Sequence, residues 1–232
     1  HKIDLAIAWR FEKIILGAYQ WLSEQYEEGD RIYLFGFSRG AYQVRALSAM
    51  IDKIGLIHKG NQAQIPFPSS APTDRTKTDQ DPTSTLPTAE ESVGRFKETF
   101  SRNVKVHFIG AWDTVSSVGL FRGKDAPFTA CGMNHVCRFR HALALDERRV
   151  KFQPEYVHGG RHYGPGKEPS PITAKTGSRK RPVPRVKEVW FAGTHSDIGG
   201  GNINNIKLNH SGPPFRWMSY EATQAGVRLK PF

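Results

Sequence analysis

Cysteine is scarce in this 232-residue sequence, which contains Cys131 and Cys137 and no others. Two cysteines are too few for a disulfide framework or a four-cysteine zinc site, so we expect both thiols to be reduced. Long hydrophobic runs are also missing, because no stretch reaches the roughly eighteen apolar residues that a membrane span needs. We expect a cytoplasmic domain, although a sequence that begins at His1 rather than Met carries no information about a signal peptide.

Acidic residues are outnumbered, with 22 Asp and Glu against 33 Lys and Arg, which gives a formal net charge of +11. This balance favours anionic partners such as phospholipid surfaces, phosphorylated substrates or nucleic acid, and it does not choose among them. The 38% of hydrophobic residues and the overall length are typical of one globular domain. We therefore treat residues 1–232 as a single domain.

The most informative stretch is an apolar run at residues 31–37 that ends in Gly36-Phe37-Ser38-Arg39-Gly40 and passes into a helical pattern. Gly-x-Ser-x-Gly between a strand and a helix is typical of a nucleophile elbow, which presents a reactive serine at the top of a sheet. So sharp a turn strains the central residue and leaves no room for side chains beside it, which predicts a need for Gly36 and Gly40. An ordinary strand-to-helix turn is the alternative.

Hydrophobic spacing predicts an alternation of helices and strands along the rest of the chain. Apolar residues three and four apart indicate helices at 5–26, 41–54, 88–100 and 213–226, with Gly55 as the C-cap of the second, and residues 141–149 also look helical. Continuous apolar runs indicate strands at 31–37, 104–110 and 186–192. The pattern predicts an α/β fold with a mostly parallel sheet and helices on both faces.

Two segments differ from the rest in composition. Residues 61–88 are rich in Pro, Ser and Thr, and we expect a disordered surface loop there, with a lid over the site as the alternative. Residues 161–187 form a Gly- and Pro-rich basic loop that contains Arg179-Lys180-Arg181. This cluster is suited to peripheral contact with anionic membranes or to a nuclear signal, but charge runs are more often solvated surface.

A serine nucleophile needs a base, and the base needs an acid that fixes its tautomer. Asp113 and His195 each follow the end of a predicted strand, and parallel strands bring such positions to the same edge as Ser38. The chain order Ser, Asp, His is that of the α/β-hydrolases. Asp197 is the alternative acid, or a residue that braces the loop of His195.

An oxyanion hole is the remaining requirement of acyl transfer. The backbone N–H of Arg39 is expected to supply one donor, because it follows the nucleophile. The second donor is expected from a loop after an earlier strand. Since only one predicted helix and one strand precede Ser38, we expect the sheet in this chain to lack its N-terminal strands.

Four motifs together resemble the α/β-hydrolase domain typified by the type VI secretion phospholipase effectors. They are Gly36-Phe37-Ser38-Arg39-Gly40-Ala41-Tyr42, Gly110-Ala111-Trp112-Asp113-Thr114-Val115, the segment 141–149, and the segment 190–201 from Trp190 to the three glycines. The resemblance implies a Ser-Asp-His esterase that cleaves phospholipid acyl esters. It assigns Ser38 as nucleophile, Asp113 as acid and His195 as base.

The sequence thus predicts a serine hydrolase that cleaves carboxylic esters through an acyl-enzyme, with lipid as the leading substrate and no metal or cofactor. Nucleic acid is a less favoured partner than an anionic membrane. The alternative is a non-catalytic hydrolase-like module that binds an anionic surface or nucleic acid through the basic loop. The presence of all three candidate residues argues against that alternative, because a scaffold needs none of them.

Overall fold

A computed structural model describes residues 2–65, 89–115, 133–149, 185–201 and 212–230. Its helices and strands, in chain order, are α1 (Lys2–Gln25), β1 (Ile32–Phe37), α2 (Arg39–Ile54), β2 (Leu56–Ile57), α3 (Ala89–Phe100), β3 (Ser101–Arg102), β4 (Val106–Trp112), β5 (Arg138–Ala144), β6 (Val186–Phe191), α4 (His195–Ile198) and α5 (Gly212–Gln224). Short 3-10 turns occur at Gln62–Gln64 and Met133–His135.

Four strands form one parallel sheet in the order β1-β4-β5-β6. Phe37 at the end of β1 lies beside Trp112 at the end of β4, so the segments that follow these strands leave the sheet at the same edge. The short strands β2 and β3 pair separately and antiparallel. The prediction of an α/β fold with a parallel sheet is confirmed.

The two faces of the sheet are covered by different helices. Ile109 belongs to the core that packs against α1 and α2, whereas its neighbour Phe108 packs against Met218 and Ala222 of α5. Successive strand residues point to opposite faces, which explains why both are fully buried. Helices therefore flank the sheet on both sides, as the uninterrupted apolar strands predict.

A buried ionic cluster fastens α5 to the sheet. Glu221 accepts hydrogen bonds from Arg140 on β5 and from Lys187 on β6. Burial opposes ionisation of Glu221, but the bonds from Lys187 and Arg140 outweigh it and lower the pKa of the carboxyl. Because Arg140 is fully buried, the pair is needed to keep that charge in the interior.

The predicted helix at 141–149 is wrong, because residues 138–144 form strand β5 and the chain then turns away. Residues 139–144 are buried, as expected of a strand covered on both faces. A short apolar run of this kind has no periodicity that separates a buried strand from a buried helix, and its alanines favour the helical interpretation. The pairing of β5 with strands on both sides decides the outcome.

The other predicted helices and strands agree with the structure to within about three residues at each end. Gly55 ends α2 with φ 75°, and its N–H donates to the Ile51 carbonyl at 2.9 Å, as a C-cap requires. Residues 66–88 of the proline-rich segment and 161–184 of the basic loop lie outside the described residues. Among the helices that the structure describes, none is long and apolar enough to cross a membrane.

Candidate active site

Ser38 lies at the turn between β1 and α2 with φ 58° and ψ −124°. Its N–H donates to the Trp112 carbonyl at 3.0 Å, which ties the turn to the end of β4. A Cβ at Gly36 would lie 2.5 Å from the Gly40 carbonyl oxygen, so this position has no space for a side chain. A Cβ at Gly40 would meet nothing within 4 Å among the described residues, so the crowding predicted for Gly40 is not found there.

The backbone around Asp113 is also strained. In the described part of the chain, the non-glycine residues with positive φ are Ser38 and Asp113, the latter at 40°. Such conformations cost roughly 1–3 kcal/mol each and persist only where the surroundings enforce them. Strained non-glycine backbone is therefore found at two of the three residues that the sequence predicts to be catalytic.

One hydrogen-bonded chain joins the three predicted residues. Ser38 Oγ lies 2.8 Å from His195 Nε2, and His195 Nδ1 lies 2.7 Å from Asp113 Oδ2. A carboxylate only accepts, so Nδ1 carries the proton and Nε2 of the neutral ring is free to accept from the serine hydroxyl. These donor and acceptor roles are the ones that His195 needs in order to act as a base on Ser38.

The carboxylate of Asp113 is held on both oxygens. Oδ1 accepts the N–H of Ala144 at the end of β5, at 3.0 Å, while Oδ2 faces the ring of His195. The side chains of Asp113 and His195 are nearly inaccessible to water, with exposed fractions of 1% and 6%, whereas Ser38 is half-buried. A substrate can therefore reach the serine while the acid and the base stay shielded.

Close packing sets the position of the imidazole. The ring of Phe37 lies 4.5 Å from that of His195, centroid to centroid. A Cβ at Gly199 would lie 2.3 Å from the Phe37 ring. Glycine at this position therefore lets α4, which begins at His195, approach the elbow closely.

Asp197 acts within its own loop. Its Oδ2 accepts both the backbone N–H and the hydroxyl of Thr194, each at 2.8 Å. The backbone N–H of Asp197 in turn donates to the Thr194 side chain, which completes a capping box at the start of α4. Asp113 occupies the Nδ1 side of the His195 ring. The sequence leaves two roles open for Asp197, the alternative acid or a residue that braces the loop of His195. Its contacts are those of the bracing residue.

Sequence reasoning missed two carboxylates that hold the histidine loop. Asp146 Oδ2 accepts the N–H of Gly193 at 2.7 Å, and Glu147 Oε2 accepts the N–H of His195 at 3.2 Å. The hydrogen bond from Arg149 lowers the pKa of Glu147 to about 2. Both residues lie in the segment predicted to be helical, so their contacts across the sheet could not be anticipated.

A cavity of about 620 Å³ lies beside this loop. It is lined by Asp146, Glu147, Arg148, Arg149, Thr194, Ser196 and Gly201. Thr194 and Ser196 are the two neighbours of His195, so the cavity adjoins the candidate site. Within the described ranges, no group of three or more His, Cys, Asp or Glu side chains is placed to hold a metal ion.

The parallel sheet, its flanking helices and the strand–turn–helix around Ser38 define an α/β domain of hydrolase-like architecture. The sequence model of one family, the catalytic domain of Tle1-like phospholipase effectors of the type VI secretion system, matches residues 1–221. The chain belongs to this family.

Two further comparisons find longer proteins. An uncharacterized protein of Saccharomyces cerevisiae is 42% identical over 158 residues, which are 65% of this chain and 22% of the yeast protein. The crystal structure of an uncharacterized protein from Pseudomonas aeruginosa is similar with a TM-score of 0.44 and 19% identity, over 98% of this chain and 28% of that one. The chain thus spans less than a third of the length of either protein.

Proposed function

We propose that this domain is a serine hydrolase that cleaves carboxylic esters, with phospholipid acyl esters as the substrate class. The observation that carries the proposal is the single hydrogen-bonded chain from Ser38 through His195 to Asp113. The family's description as a phospholipase catalytic domain supports it independently of that geometry.

In the proposed first half-reaction, Ser38 Oγ attacks the ester carbonyl while its proton passes to His195 Nε2. Asp113 stabilises the resulting imidazolium through Nδ1 and remains ionised. The tetrahedral intermediate then collapses, its bond to the alcohol oxygen breaks, and His195 returns the proton to the departing alcohol. The acyl group is left on Ser38.

In the second half-reaction, water replaces the alcohol. His195 removes a proton from the water as it attacks the acyl carbonyl, and then protonates Ser38 Oγ as the fatty acid leaves. The half-exposed position of Ser38 supports this scheme, because water must reach the carbonyl carbon in this step.

The negative charge on the carbonyl oxygen requires donors that are already in place. Arg39 is the first residue of α2, so its N–H lies in the first turn and has no partner four residues earlier in the helix. The positive end of the helix dipole adds to the attraction at the same point. We assign the Arg39 N–H as one oxyanion donor.

The cavity beside His195 supports a substrate with a charged head group. Arg148 is an exposed cation on its wall, and the neighbouring Arg149 is paired with Glu147. A guanidinium is well matched to a phosphate. Replacing Arg148 with Gln should therefore slow hydrolysis of a phospholipid more than that of a neutral short-chain ester.

Labelling with a fluorophosphonate ester probe tests the reaction class. The wild-type protein should be labelled and Ser38→Ala should not, while Ser48→Ala, a matched change of a buried serine in α2, should be labelled like the wild type. Release of fatty acid from phosphatidylcholine vesicles then tests the substrate class. A folded wild-type protein that neither reacts nor hydrolyses esters would favour the non-catalytic binding module.

A further inference from the structure

A second histidine–carboxylate pair lies next to the candidate site and has no part in the reaction proposed above. His141 on β5 is fully buried, and its Nδ1 lies 2.9 Å from Glu188 Oε1 on β6. The two residues are directly paired in the parallel register of these strands. The sheet itself therefore fixes the acceptor for this ring nitrogen.

The other ring nitrogen contacts the residue that follows the proposed acid. Thr114 donates its backbone N–H to His141 Nε2 at 3.1 Å, and its hydroxyl lies 3.0 Å from the same nitrogen. Since the backbone N–H can only donate, Nε2 is unprotonated and Nδ1 carries the proton toward Glu188. Burial lowers the pKa of His141, so the ring stays neutral and keeps this orientation at neutral pH.

The contact between His141 and Thr114 lies next to a strained part of the backbone. Asp113 has a positive φ, and Thr114, which has no exposed surface, is the next residue. Without His141, the Thr114 N–H would be buried with no acceptor, and relaxation of the loop would be the simplest way to restore one. That relaxation would move the Asp113 carboxylate relative to His195.

We propose that His141, oriented by Glu188, is a positioning residue that holds the loop of Asp113 in the geometry needed to hydrogen-bond His195. This inference rests on the proposed function, because it concerns the acid of the proposed triad. It extends that function from three residues to a second hydrogen-bonded row, Thr114–His141–Glu188, which runs from the loop after β4 to β5 and β6.

The adjacent residue on β5 provides a matched control. Arg140 is also fully buried and paired with a carboxylate, Glu221, but this pair faces α5 on the opposite side of the sheet. Glu221→Gln should weaken the packing of the same strand, but it leaves the hydrogen bonds of His141 with Thr114 and Glu188 in place. It should lower the melting temperature and leave kcat per active site unchanged.

The test compares His141→Phe, His141→Gln and Glu221→Gln, with active sites counted by fluorophosphonate titration. His141→Phe removes the hydrogen bonds of the ring to Thr114 and to Glu188. We expect kcat to fall about 10–100-fold with KM unchanged, by analogy with the loss of a partner that orients a metal-ligating histidine. His141→Gln keeps an amide oxygen that can accept from Thr114, so it should recover part of the loss. In an Asp113→Ala background, His141→Phe should cost nothing further, because both changes remove the same contribution.

A second measurement separates this inference from the proposed function. The Nδ1 proton of His195, bonded to Asp113, is observable by NMR whether or not the protein hydrolyses esters. His141→Phe should shift or broaden its resonance, and Glu221→Gln should not. If His141→Phe lowers only the melting temperature, with kcat per site and the His195 resonance both as in the wild type, His141 is structural and the inference is wrong.

If the wild-type protein proves inert toward esters, the proposed function fails, and the resonance alone decides whether His141 positions Asp113. Loss of the resonance in His141→Phe would then support the positioning role, and an unchanged resonance would overturn it.

Discussion

Two serines, one at the elbow and one in α2, each form a hydrogen bond to a different histidine at almost the same distance. Ser38 Oγ lies 2.8 Å from His195 Nε2, and Ser48 Oγ lies 2.7 Å from His135 Nε2. An aspartate is near the ring in each case. Burial lowers the pKa of His135, and the charge of Asp52 opposes that shift without reversing it. We expect only the first pair to carry out chemistry, so a serine–histidine hydrogen bond is not sufficient evidence for a nucleophile.

The two pairs differ in backbone, acid and access. Ser38 has a strained φ of 58° at the end of a strand, whereas Ser48 lies in a regular turn of α2. The ring of His195 is hydrogen-bonded to Asp113, whereas Asp52 acts on His135 through charge alone in the interactions described. Ser38 is half-buried and Ser48 is fully buried. No substrate can reach Ser48 without opening the core.

Removing the hydroxyls should separate the two serines most clearly. Ser38→Ala should lower kcat for ester hydrolysis by about a million-fold, the loss typical when the nucleophile of a serine triad is removed. Ser48→Ala should leave kcat unchanged but lower the free energy of unfolding by about 1–3 kcal/mol, because a nitrogen of His135 loses its buried partner. Ester turnover and urea unfolding of both variants provide the measurements.

A large loss of turnover in Ser48→Ala, with the fold intact, would contradict this division of roles. So would residual labelling of Ser38→Ala by a fluorophosphonate probe, since it would show that another residue is the nucleophile.

Substitutions of Asp113 and Asp52, the aspartates near the two histidines, should also differ greatly in their effect on kcat. Asp113→Asn should lower kcat about ten-thousand-fold, because an amide can donate to Nδ1 and stabilise the wrong tautomer of His195. Asp52→Asn should have little effect on kcat, since His135 takes no part in the proposed reaction. The pH–rate profiles of the three proteins on a soluble ester measure both effects.

Asp197→Asn distinguishes the alternative acid in the same assay. This change weakens the cap of α4 and should cost about 1 kcal/mol of stability with a small loss of kcat. A loss as large as that of Asp113→Asn would show that Asp197 serves His195 directly, and that the assignment of the acid to Asp113 is incomplete.

The sequence alone predicts the parts of the site that follow from local rules. Ser38 and Asp113 come directly after β1 and β4, and His195 lies four residues beyond the end of β6. Parallel strands bring such positions to one edge of the sheet. The structure places His195 within hydrogen-bond distance of both Ser38 and Asp113.

What the sequence does not predict depends on strand register. The contacts of Glu147 with the loop of His195 and of His141 with Glu188 require β5 to pair with β6. The sequence of residues 141–149, which carry Glu147 and His141, predicts a helix instead, because a short apolar run with alanines fits either structure. The Ser48–His135 pair has no local signal at all, since neither residue lies at a strand end.

Substitutions of the elbow glycines should have a smaller effect. They test the difference in backbone conformation between Ser38 and Ser48. A methyl group at Gly36 would overlap the Gly40 carbonyl, so Gly36→Ala should cost about 1–3 kcal/mol of stability and move Ser38 away from His195. Gly40 lies in the first turn of α2 with open space around it in the described structure. Gly40→Ala should therefore be neutral or stabilising by up to about 1 kcal/mol. Equal destabilisation of both variants would contradict the observed packing.

The smallest effect should come from Glu147, which holds the His195 loop and has no counterpart at the Ser48–His135 pair. Its pKa of about 2 lies below the ordinary 4.5, so it contributes stability above the ordinary value and loses it as the pH falls toward 2. The arginine that pairs with it is half-exposed, so the contribution should be below about 1 kcal/mol.

Urea unfolding of the wild type and Glu147→Gln should therefore differ slightly near neutral pH, and the difference should disappear as the pH approaches 2. The same comparison for Asp52→Asn, a carboxylate near the Ser48–His135 pair, serves as the control. If the wild type keeps its advantage over Glu147→Gln at the lowest pH, the carboxylate charge is not what holds the histidine loop, and the neutral hydrogen bond to the His195 N–H must be.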